Sequence, residues 1–235
     1  MDSNLRRSML RYYNERAPEY DEAFVLGTGT ASIPDPNVFR SEATGLAAIV
    51  QRFAHGRLID LACGTAFWLR HYAPHCSGMV LFDQSDRMLD EGRKKITALG
   101  IADRCSLLCG DFFDYEFGRG AYDCALAGFF LSHLTDAQER VVFDRLKSML
   151  VSSGRFLILD SAWSTERARF NAKIERQRRE LNDGTRFDIY KRYLDQQDIA
   201  GWATQYGVTV AVEHFGVAFC AVSGRFTDGI SASNA

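Results

Sequence analysis

At 235 residues, with 46% hydrophobic content and 28 Lys plus Arg against 30 Asp plus Glu, the chain is sized for one large α/β domain and carries a net charge of -2. That balance excludes the basic field that draws proteins to nucleic acid or anionic lipid, so a small molecule is the expected partner. No stretch reaches the roughly 20 apolar residues of a membrane span, the start of the chain lacks the apolar core of a signal peptide, and the six cysteines lack the spaced pairs of a zinc module. A soluble, cytoplasmic protein with reduced thiols and no resident metal is expected.

Ser3 can cap a first helix running through Tyr12 and Tyr13, which Pro18 interrupts or restarts. Residues 26–37 hold glycines, prolines and small polar groups and read as a loop, followed by a helix near Phe39 to Ala54. Strands and helices then alternate: strands at Leu58 to Leu61, Met79 to Phe82, Cys105 to Cys109, Tyr122 to Ala127 and Arg155 to Leu159, and helices around Trp68 to Tyr72, Ser85 to Leu99 and Asp136 to Leu150. This rhythm predicts a doubly wound, mostly parallel α/β sheet with helices on both faces. It breaks at Asp183-Gly184, a hairpin signal inside an insertion at about 162–193. A helix near Gln196 to Tyr206 and two β-rich runs joined around His214 to Gly216 close the chain, predicting seven strands that end in an antiparallel hairpin. The expected organisation is an N-terminal helical arm over 1–38 and a single domain over 39–235.

The stretch Arg57 to Trp68, RLIDLACGTAFW, is a strand turning over small residues, the place where α/β proteins hold nucleotides. The dinucleotide fingerprint laid on it gives Ala62, Gly64 and Phe67, and a phenylalanine at the third position would hold the helix off the strand. No G-x-x-x-x-G-K-[ST] loop occurs anywhere. The pattern that fits is acid-x-small-x-Gly-x-small over Asp60 to Ala66.

Here the chain resembles the class I S-adenosylmethionine-dependent methyltransferases of small-molecule type. In order, LFDQSDRML ends the second strand, CGDFFDYEF ends the third and DCALAGFFLSHL spans the fourth, and YYNERAPEYD resembles the family's N-terminal lid. The resemblance implies S-adenosylmethionine as cofactor and, by position, a binding set of Tyr13, Tyr20, Asp60, Ala62, Gly64, Asp83, Gln84, Met88, Asp111, Phe112 and Ala127. Gly64 lets backbone approach the methionyl part, and Asp60 offers an acceptor toward its ammonium. Asp83, at a strand's C-terminal end, suits the ribose hydroxyls, although such an acid can also cap the next helix. Met88 fits against adenine or in helix core, and Asp111 with Phe112 matches the pair that holds the adenine amino group. Ala62 and Ala66 replace glycines common in the family and are therefore expected to stay at negative φ.

The methyl of a sulfonium is already electrophilic, so the protein must align a nucleophile and exclude water. His133, just beyond the fourth strand, is the candidate base, with loop fastening as its other role. Phe129 and Phe130 can wall an aromatic acceptor or serve as core. The insertion is basic, and Arg178 or Arg186 could clamp a carboxylate or phosphate on the acceptor or simply face water. His71 and His75 have metal-compatible spacing, but Pro74 breaks the turn and no third ligand follows. The expected activity is methylation of oxygen or nitrogen on a small aromatic metabolite by a monomer or homodimer. A non-catalytic methyltransferase-like binding protein and an NAD-dependent oxidoreductase are the alternatives.

Overall fold

The computed structural model describes residues 3–26, 33 and 35–227; most of the loop expected at 26–37 lies outside them. Seven strands form one sheet: β1 Gly56–Leu61, β2 Cys76–Asp83, β3 Cys105–Cys109, β4 Tyr122–Gly128, β5 Leu150–Ser161, and, after the insertion, β8 Val208–Phe215 and β9 Phe219–Phe226. Their order is β3-β2-β1-β4-β5-β9-β8, parallel through β5 and antiparallel thereafter. Chain direction across the sheet reverses between β1 and β4, and the C-terminal ends there form the crevice in which open α/β sheets bind ligands.

The helices are α1 Ser3–Arg16, α2 Glu22–Leu26, α3 Pro36–Phe53, α4 Leu69–Tyr72, α5 Asp86–Leu99, α6 Asp136–Met149 and α7 Gln196–Tyr206. Local chemistry sets their ends. Asp35 accepts from Asn37 N at 2.8 Å ahead of Pro36, so α3 starts earlier than periodicity suggests. Ser85 Oγ accepts from Met88 N at the start of α5, and Gly100 closes that helix at φ 66°. Helix α4 is a single turn that gives way to a 3-10 turn at Ala73–His75, where Pro74 stands. The parallel sheet is buried on both faces: α3 to α5 cover one with Phe39, Leu46, Leu69 and Ile96, and α6 and α7 cover the other with Val142, Phe143, Leu146 and Trp202.

The insertion forms its own hairpin, β6 Ile174–Glu180 with β7 Arg186–Arg192. A two-stranded ribbon alone is marginal in water. Here its apolar face, Leu181, Phe187 and Ile189, is covered by Leu5, Met9 and Tyr12 of α1, so arm and insertion build one small core above the crevice. Among the described residues no helix is long and apolar enough to cross a membrane.

Candidate active site

After β1 the chain turns through Ala62 to Trp68. Cys63 N donates to Phe82 O at 3.0 Å, Ala66 N to Cys63 O at 2.9 Å, and Gly64 N to Asp83 Oδ2 at 2.9 Å. Held at these points, the turn takes the left-handed conformation at Ala62 (φ 52°), Gly64 (φ 54°) and Ala66 (φ 57°). The expectation that both alanines stay at negative φ is thus overturned: the pinned turn keeps a glycine-like path, and each Cβ bears a cost of about 1–2 kcal/mol. Ala62 lines the cleft. Ala66 is buried against α5, where a Cβ on Gly92 would come within 3.5 Å of its own, so it does not narrow the site.

Asp83 ends β2 almost fully buried, and its other oxygen accepts from Ser85 N at 2.8 Å. Burial pushes its carboxyl up to about 6, against the pull of the backbone N–H groups of Ser85 and Gly64. Since Ser85 itself caps α5, Asp83 is left to shape the turn and face the cleft. Phe129 follows β4 at φ 56°, its N–H bonded to Leu159 O at 2.7 Å, and its ring joins Phe24 and Phe219 in an aromatic wall.

One cleft of about 300 Å³ gathers Tyr13, Tyr20, Ala62, Gly64, Asp83, Gln84, Met88, Asp111, Phe112, Phe129, Phe130 and His133. Four residues singled out in the sequence are not on its walls. Asp60 lies behind it, taking the Tyr72 hydroxyl at 2.8 Å, with burial raising its carboxyl to about 7. Ala127 is enclosed within β4. Arg178 and Arg186 point outward and pair with Asp188 and Glu180. Strand alternation explains the last two: in β6 the even-numbered residues, Arg178 among them, face solvent while Gln177 and Arg179 face in, and in β7 Arg186 and Asp188 face out while Phe187 and Ile189 face in.

The arm closes over the turn. A Cβ on Gly64 would lie in contact with both Tyr20 and Met88, 3.7 Å from Cε1 of the one and 3.9 Å from Sδ of the other, and would take up the space between them. Asp21 receives Thr65 Oγ1 at 2.5 Å and Lys95 Nζ at 2.6 Å, and Ser85 Oγ donates to Asn14 Oδ1 at 2.5 Å. On the hairpin side, Asn182 N and Nδ2 each donate at 3.0 Å, to Glu19 and Glu22 respectively. Nothing local in the sequence marks these latch residues, whose contacts span 44 to 163 positions.

His133 stands beneath Tyr13. Its Nδ1 lies 2.8 Å from Tyr190 O and its Nε2 2.7 Å from the Tyr13 hydroxyl. A carbonyl can only accept, so Nδ1 carries the proton and Nε2 accepts from Tyr13. Burial, then the charges of Lys191, Arg179 and Arg16, hold the imidazole well below its usual range and therefore neutral. Among the described residues no three metal-ligating side chains converge.

Residues 58–154 match the family model of a methyltransferase domain. The chain is 25% identical over 149 residues to an uncharacterized methyltransferase of Schizosaccharomyces pombe, covering 61% of this chain and 48% of that one. It is 27% identical over 126 residues to the ubiquinone/menaquinone biosynthesis C-methyltransferase UbiE of Cereibacter sphaeroides, covering 49% of each. The chain thus spans about half the length of these curated relatives. Its fold matches the DhpI complex with SAM and HEP at a TM-score of 0.75 and 24% identity, over 96% of this chain and 99% of that one. It also matches an S-adenosylmethionine-dependent methyltransferase of Clostridium acetobutylicum at a TM-score of 0.62 and 15% identity, over 92% and 99%. A seven-stranded sheet of this order, a glycine turn answered by an acid at the end of β2 and the match over residues 58–154 lead to one conclusion: the chain carries a methyltransferase domain in the Rossmann-like methyltransferase fold.

Proposed function

We propose that this chain methylates an oxygen or nitrogen of a small acceptor bearing an aromatic ring. The observation that carries this reading is the cleft itself: it brings Gly64, Asp83, Met88 and Asp111 together with Tyr13, Phe129, Phe130 and His133. The residues present fit the cofactor. Gly64 offers a cradle that a Cβ would fill, Met88 a buried thioether surface, and Asp83 and Asp111 carboxylates for hydroxyl and amino donors. When bound, the cofactor supplies a methyl group already activated on a sulfonium.

The protein's own work is then alignment, dryness and proton removal. Phe129 and Phe130 offer flat apolar walls that orient a ring and exclude water. Tyr20 closes the cleft above Gly64. His133, neutral with its Nε2 lone pair turned to Tyr13, takes up the acceptor's proton through the Tyr13 hydroxyl that occupies it. Ala62 and Ala66 adopt the backbone path of glycines, so the turn keeps the shape a cofactor-binding loop needs. The test is incubation of the full chain with S-adenosylmethionine and a panel of phenols, hydroxy acids and aromatic amines, reading released S-adenosylhomocysteine. Methylation of at least one aromatic member at its oxygen or nitrogen supports the reading, and no S-adenosylhomocysteine release with any aromatic member overturns it.

A further inference from the structure

Beside the main cleft, and sharing Tyr13, Tyr20, Phe129 and His133 with it, lies a second cavity of about 80 Å³ under the arm and the hairpin. One water needs roughly 10–15 Å³, so this space would take a small chemical group. Three cations surround it: Arg16 from α1, Arg179 from β6 and Lys191 from β7. Their partners do not balance them. Arg16 Nη1 donates to the Tyr12 hydroxyl, and its guanidinium lies over the rings of Tyr12 and Tyr20 at 5.5 and 5.4 Å. Arg179 Nη2 donates to Gln177 Oε1 at 2.7 Å. Lys191 Nζ donates to Ser132 Oγ at 2.6 Å, and Asp160 Oδ1 stands 3.8 Å away. Asp160 is spent on Ser132 N and Ser161 N as well. A fourth cation, Arg167, is buried close behind with its guanidinium over Tyr193.

Two further facts point to an anion. Nε of Arg16 and Nε of Arg179 are both buried and meet no acceptor, whereas buried donors in folded proteins are nearly always satisfied. Lys191 is brought down to about 7, first by burial and then, against the pull of Asp160, by the Arg179 and Arg167 charges. Gathering like charges in a dry cavity is costly unless a counter-charge completes the site.

We infer that this cavity seats an oxyanion headgroup of the methyl acceptor, a carboxylate or a phosphate-type group, between Arg16, Arg179 and Lys191. The inference rests on the cleft being the transfer site. It gives the acceptor a polarity: the anion under the hairpin, the reacting atom toward Tyr13 and the sheet. Planar guanidinium forks suit either oxyanion.

The experiment titrates the full chain, with and without S-adenosylhomocysteine, with inorganic phosphate, benzoate and neutral benzamide at matched ionic strength, using calorimetry and NMR of the histidine rings. Phosphate, benzoate or both should bind at least about tenfold more tightly than benzamide (about 1.4 kcal/mol), and which one binds identifies the headgroup. The same anion should raise the His133 titration midpoint, a readout that needs no variant. Arg179→Gln and Lys191→Met should each weaken anion binding by about tenfold or more, leaving S-adenosylhomocysteine affinity within about twofold. Binding no tighter than benzamide, or a His133 midpoint that ignores the anion, overturns the inference while leaving cofactor binding intact. Anion binding without any S-adenosylhomocysteine binding would sustain the seat and overturn the proposed function instead.

Discussion

The Tyr13 hydroxyl lies 2.7 Å from His133 Nε2, on the side of the imidazole opposite its bond to the Tyr190 carbonyl. That geometry fixes the tautomer and makes Tyr13 the group through which His133 meets the cleft. His133→Gln keeps hydrogen bonding but takes up no proton near neutrality. With a hydroxyl acceptor it should lower turnover by roughly 10²–10⁴-fold, and Tyr13→Phe should cost a comparable factor, both with S-adenosylhomocysteine affinity nearly unchanged. The imidazole is held well below 6.5, so the wild-type rate should be level across neutral pH and fall only on further acidification. Near-normal turnover in either variant would reduce His133 to a loop fastener.

Asp83 gives a pH dependence whose sign can be worked out. Without ligand its carboxyl titrates at about 6, and hydroxyl donors bind the ionised form. S-adenosylhomocysteine affinity should therefore be flat above pH 7 and fall toward tenfold per unit below pH 6. Asp83→Asn should remove that slope and weaken binding by about 1–3 kcal/mol. Affinities at pH 5, 6 and 7.5 check both statements.

The left-handed alanines predict a gain from substitution. At Ala62 and Ala66 glycine relieves the Cβ clash but adds freedom to the unfolded chain, so each replacement should leave a net stabilisation of about 0.5–1 kcal/mol. The check is the urea midpoint; a loss of stability in both variants would show that the turn does not hold these φ values.

The bonds of Asp21 to Thr65 and Lys95 tie the arm to the turn and to α5. Lys95→Met should shorten cofactor residence by up to about fivefold, the scale of a partly exposed ion pair, with little change in stability. Deleting residues 1–22 would be a poorer probe, because it would strip the cover from Leu181, Phe187 and Ile189.

Much of this was legible in the chain because doubly wound folds write their order into apolar runs: the strand at Cys105–Cys109 and the helix at Gln196–Tyr206 form at the boundaries that periodicity gives. The acceptor side was read less well. Asp183-Gly184 marks the hairpin, but charge alone points to Arg178 and Arg186, which the two-residue alternation turns to solvent. Phe187 and Ile189 mark the inward face, Lys191 continues it, and Arg179 pairs with Phe187 across the ribbon. Those facts would have named the inward cations. Arg16 needed α1 docked on that ribbon, a contact no local pattern carries. Residue preference alone puts the alanines of the turn at negative φ, and the hydrogen bonds that pin the turn override it.

The most direct test of the account is calorimetric titration of S-adenosylhomocysteine into the full chain and into Asp83→Ala, with NAD as the control ligand. The account predicts saturable one-to-one binding to the wild type, weakening by about 1–3 kcal/mol in the folded variant, and no binding of NAD. Undiminished affinity in Asp83→Ala, or no binding to the wild type, would contradict it.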